Sequence, residues 1–192
     1  MEGCVHPTLL RLFLVVFILG SVSADAQFKR EDFQRAEKAI IRLDPSEFPN
    51  LPGGIRAVLE QRGCTVPQPY DARGEKKNVI TGRFKSTEEK DWAVLCSHEG
   101  HSAILVFFEG RPDEMDEIGE EPDSQYLQVT SGGGKIGYSR QIEPASPGAI
   151  RRHINRSKQN TEHDGIENVF LEKGTIIWYR SNGKWMKLSG FD

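Results

Sequence analysis

The stretch that most limits what this chain can become is NVITGRFKSTEEKDWAVLCSHEGHSAILVFFE, residues 78–109. Apolar and β-branched runs of strand length alternate here with clusters of Gly, Ser, Glu and Lys, which predicts three strands, Asn78–Phe84, Asp91–Cys96 and Ser102–Phe108. The second and third have no wet face, because Trp92-Ala93-Val94-Leu95-Cys96 and Ala103-Ile104-Leu105-Val106-Phe107-Phe108 are apolar at consecutive positions. Strands of that kind lie centrally in a sheet covered on both sides.

The compartment follows from the first residues. Leu12–Leu19 (LFLVVFIL) is apolar but too short to cross a bilayer comfortably, and the small residues after it include Ala24-x-Ala26, a fit to a signal-peptidase site. This predicts an export signal over residues 1–26 and a single domain over 27–192, secreted or periplasmic, with no membrane span after cleavage. An uncleaved anchor is the alternative. The remaining 24 basic and 26 acidic residues give a net charge of −2. Nucleic acid and anionic lipid need a concentrated basic face, so neither is expected as an obligatory partner. Cys4 leaves with the signal. Cys64 and Cys96 then remain in an oxidising compartment, where an even count predicts a disulfide worth about 3 kcal/mol, two buried thiols being the alternative. Neither cysteine has the spacing of a metal ligand set.

Around the central strands the periodicity predicts helices at Glu31–Leu43, Gly54–Arg62 and Pro147–Arg156, the last capped by Ser146. Phe48-Pro49-Asn50-Leu51-Pro52 reads as a stiff connector. The segment 109–123 sets eight carboxylates against Arg111 and carries two prolines, which predicts a solvated loop, with a calcium site as the sharper reading. Tyr126–Thr130 and Ile136–Ser139 predict a hairpin around a glycine-rich turn. Asn155-Arg156-Ser157 is a glycosylation sequon. Ile166–Leu171, Thr175–Arg180 and Lys184–Leu188 predict three closing strands. Asn182-Gly183 at a type I′ turn pairs Tyr179 with Met186, Ile177 with Leu188, Arg180 with Trp185 and Trp178 with Lys187. Ile177, Tyr179, Met186 and Leu188 then form a core face. Trp178, Arg180, Trp185 and Lys187 form an aromatic and basic face that either stacks on itself or binds a partner.

The motifs of familiar hydrolases and metal enzymes are missing, so no catalytic residue, metal or cofactor is predicted. His98 and His101 flank a tight turn, and His163-Asp164 lies in a polar loop.

The segments Arg62-Gly63-Cys64-Thr65-Val66-Pro67-Gln68, Gly82-x-Phe84 and Asp91-Trp92-Ala93-Val94-Leu95-Cys96 resemble a group of uncharacterised exported bacterial proteins sharing a G-C-x-[IV]-P-Q segment, a G-x-F strand and a D-W-A-V-L-C strand. That resemblance implies export and no particular activity. A more distant likeness is to the FG-GAP, or VCBS, repeat of secreted β-propellers, in which a G-x-F strand, an acidic turn and a D-[LW]-A-V-L strand recur. One such unit cannot close a propeller, and its turn, residues 85–90, lacks the aspartates that ligate calcium there.

Together these readings predict an α+β domain: an antiparallel sheet of about six to eight strands, two N-terminal helices pinned through Cys64–Cys96, and one helix inserted before the C-terminal hairpin. The expected function is non-enzymatic binding of a protein or cell-envelope component through Trp178, Arg180, Trp185 and Lys187. The alternatives are a small hydrolase assembled in three dimensions around His98, His101 or His163, and an inhibitor that presents the acidic loop to a secreted enzyme.

Overall fold

A computed structural model describes residues 28–154 and 161–189. Residues 1–26, read from sequence as an export signal, and the sequon Asn155-Arg156-Ser157 lie outside the described residues. In chain order the elements are α1 (Arg30–Lys38), β1 (Arg42–Leu43), α2 (Gly53–Gln61), β2 (Val66–Pro67), β3 (Val79–Gly82), β4 (Asp91–His98), β5 (His101–Phe107), β6 (Met115–Pro122), β7 (Leu127–Val129), β8 (Ile136–Tyr138), β9 (Arg140–Ala145), α3 (Pro147–Ile154), β10 (Gly165–Phe170), β11 (Gly174–Ser181) and β12 (Lys184–Ser189).

The expected single sheet is replaced by two four-stranded antiparallel sheets, β3-β4-β5-β6 and β12-β11-β10-β9, with two-stranded ribbons β1-β2 and β7-β8 beside them. The domain is mostly β. Three short helices and twelve strands occupy the described residues. Ala93, Leu95, Ile104, Val106 and Ile118 of the first sheet meet Ile142 and Ile166 of the second, with Trp178 and Trp185 packed against them. The opposite face of the first sheet carries Val94, Cys96, Leu105 and Phe107, which α2 covers with Ile55 and Leu59. Beyond the second sheet, Ile150 of α3 packs on Ile177 and Tyr179. The result is a helix, sheet, sheet, helix stack. It explains why β4 and β5 alternate without a wet face: each odd and even position has its own core.

Two further expectations are corrected. Segment 109–123 is not a loop: β6 takes eight of its residues and pairs with β5. Ile118 turns inward while Glu117 and Glu120 stay exposed. Outward charge is compatible with an edge strand, because water is available on its open side. Its acids also find cations: Arg62 with Glu117, Lys85 with Glu114 and Arg180 with Asp116. The first helix stops at Lys38, well short of Leu43, because Leu43 is taken by the ribbon pairing with Val66. Phe33, Ala36 and Ile40 dock on Tyr126, Leu127 and Tyr138.

The recurring motif residues have structural work. The Asp91 carboxylate is fully buried and accepts backbone N–H groups from Phe84, Lys85 and Glu109, at 2.7, 2.9 and 2.9 Å. Three such bonds fasten the turn before β4 to the turn after β5. Gly82 lies so close to the buried Phe84 ring that a Cβ there would sit 2.5 Å from it. Gly82→Ala is expected to destabilise the domain by about 2 kcal/mol, read by chemical denaturation, because an immobile ring must move. Cys64 and Cys96 are bonded, with Cα atoms 5.2 Å apart, tying the segment that follows α2 to the second half of β4.

Candidate functional site

A groove of about 640 Å³ runs along the α2 side of the first sheet at its β3 edge. One wall is the connector Phe48–Leu51. It is preset by the 3-10 turn Pro45–Glu47, whose cap Asp44 accepts the Ser46 N–H at 2.8 Å; the Ser46 hydroxyl, and after it this N–H, lowers the Asp44 pKa. Phe48 and Leu51 then plunge into the core. The other wall is Val79 and Thr81 of β3 with Trp92 of β4. Lysines stand at both rims. Lys76 lies 5.9 Å from the Phe48 ring centroid and Lys90 lies 5.1 Å from that of Trp92. Lys76 also donates to the Glu47 carbonyl at 2.6 Å, with the Glu47 carboxylate 3.7 Å away. Lys90 has no carboxylate within 4 Å among the described residues. The groove therefore combines half-buried Val79, Thr81 and Trp92 with two exposed ammonium groups, an arrangement that receives a ligand with apolar and anionic parts.

The four residues singled out from sequence lie elsewhere. The pairings of Trp178 with Lys187 and Arg180 with Trp185 are as predicted, and Asn182 and Gly183 both have positive φ. That face, however, turns toward the first sheet. Trp178 and Trp185 pack on its core, and the Trp185 Nε1–H donates to Asp116 at 2.9 Å. The Arg180 guanidinium sits 4.7 Å from the Phe108 ring and 5.8 Å from that of Trp185, with 17% of its side chain exposed. Lys187 remains exposed, 5.6 Å from the Trp178 ring. On the opposite face Met186, expected in the core, is 39% exposed.

Among the described residues, His98, His101 and His163 are not assembled with nucleophiles. His98 and His101 are exposed cross-strand partners; His98 Nδ1 faces the Gly63 carbonyl at 3.2 Å, and His163 Nδ1 faces the Asp164 carbonyl at 3.0 Å. Among the described residues no three metal-binding side chains gather, and no helix is long and apolar enough to cross a membrane.

A buried polar assembly went unforeseen. Asp123 is fully buried and holds Arg42 at 2.7 Å and the Ser97 hydroxyl at 2.6 Å. Arg140, also fully buried, donates to Asn168 Oδ1, to Ser102 O and Oγ, and to Gly119 O, with its guanidinium 4.6 Å from the Tyr126 ring. Tyr138 lies 3.4 Å from Ser102 Oγ. Burial, reinforced by the Asp123 charge, pushes the Tyr138 phenol well above its ordinary value. The folded protein keeps a proton that the unfolded chain releases near pH 10, so the unfolded state binds fewer protons above that pH and stability falls as pH rises. Melting curves from about pH 8 to about pH 11 should show this loss, and Tyr138→Phe should flatten it. Tyr179, raised by burial as well, supplies part of the remaining slope.

No family model, curated protein or solved structure matches this chain.

Proposed function

We propose that this chain is an exported, non-enzymatic domain that binds a protein or cell-envelope component through the groove between Phe48 and Trp92. The observation that carries the reading is the groove itself. Half-buried Val79 and Trp92 are held by core packing on one side and left open on the other, with unburied lysines at the rims. The disulfide is compatible with an oxidising compartment. The resemblance to exported bacterial proteins supports the same placement.

The reading places binding at the groove and not at Trp178 and Trp185, whose rings fill the space between the sheets. A photoreactive residue replacing exposed Asn50, at the groove, is expected to give a discrete adduct with an exported protein or with isolated envelope. The same residue replacing exposed Glu60 on α2 should not. Equal labelling from both positions would overturn the proposal.

A further inference from the structure

The two groove lysines stand over aromatic rings, and this juxtaposition narrows what the groove can take. Resting on the binding reading above, we infer that the occupant is an extended acidic peptide of a protein partner, with an apolar side chain seated between carboxylates. Three observations favour this class over other anions.

First, the rings are occupied. Lys76 covers Phe48 and Lys90 covers Trp92, so the flat stacking surface that a sugar ring uses is already taken by cations. Second, the basic charge is local. The chain as a whole has a net charge of −3. Two ammonium groups on an acidic protein hold two carboxylates but not a nucleic-acid backbone, whose binding grows with the number of phosphates neutralised. Third, the floor is graded. Half-buried Val79 offers an apolar seat, while Thr81 and Asn50 offer hydrogen-bonding groups to a peptide backbone. Lys90 has no ion-pair partner of its own among the described residues. Lys76 is held from outside by Glu47, at 3.7 Å between charged atoms, and this fixes it at the rim. A ligand carboxylate at Lys90 fills an empty place; one at Lys76 shares an existing one.

The test uses the purified protein, labelled with nitrogen-15, and three synthetic peptides that alternate Leu with Glu, Gln or Lys. The Glu/Leu peptide is expected to shift the amide signals of Val79, Thr81 and Lys90 and the Trp92 indole signal. Its affinity should exceed that of the Gln/Leu peptide about ten-fold, the scale of two exposed ion pairs. Lys76→Glu/Lys90→Glu should abolish that preference and favour the Lys/Leu peptide, with an unchanged melting curve. Equal binding of Glu/Leu and Gln/Leu at the groove overturns the acidic class and leaves the binding reading standing. Tighter binding of dextran sulfate than of the Glu/Leu peptide also overturns it, in favour of an anionic polysaccharide. Absence of groove shifts with every probe sinks both.

Discussion

Arg140→Ala is expected to cost about 4 kcal/mol, enough to unfold much of the protein at physiological temperature. The arginine reaches from β9 across the space between the sheets. Its Nε donates to Asn168 on β10, its Nη1 to Ser102 on β5 and its Nη2 to Gly119 on β6. Each of these partners is neutral, so the charge is stabilised by oriented carbonyl and hydroxyl dipoles and by the Tyr126 ring. Removing the side chain leaves those acceptors buried without donors and opens a void as well. Arg140→Lys should recover part of the loss, because an ammonium reaches fewer acceptors than a planar fork. Urea denaturation of the two variants checks the order. If the alanine variant is as stable as the parent, water replaces the guanidinium and the two sheets do not depend on it.

The second large effect is on the disulfide. Replacing Cys64 and Cys96 by serine together should cost about 3 kcal/mol, because a link across a sequence separation of 32 restricts the unfolded chain. The loss has a direction within the fold. Cys64 follows α2 and Cys96 lies in the second half of β4, so release first loosens the helix that covers Val94, Leu105 and Phe107. Hydrogen exchange in the double serine variant should rise in α2 and in the Phe48–Leu51 connector before it rises in β10 and β11. A uniform rise would mean that the bond acts only through the unfolded state.

Several parts of this architecture were legible in the residues. Consecutive apolar positions in β4 and β5 required cover on both faces, and helix α2 and the second sheet supply it. Asn182-Gly183 fixed the last hairpin's register, since few other pairs accept two positive φ angles. The strand β6 was hidden because its exposed side carries carboxylates, and its pairing with β5 and the cations Arg62 and Arg180 make that tolerable. Arg140 in β9 read as a solvent residue, as an isolated arginine usually is, because its acceptors come from three distant strands. The inward turn of Trp178 and Trp185 was likewise set by a sheet that local periodicity does not describe. The groove went unseen for a related reason: Phe48, Lys76, Lys90 and Trp92 share no motif, and only the docking of the connector against β3 and β4 brings them to one place.

The carboxylate-rich β6 has a consequence beyond its own pairing. As the outermost strand of its sheet it leaves a row of backbone donors and acceptors that another copy could extend. Glu120 lines that boundary beside the ion-paired Glu117, and stacking one such margin on another would press carboxylates together. Repulsion of this kind disfavours edge-to-edge pairing between copies.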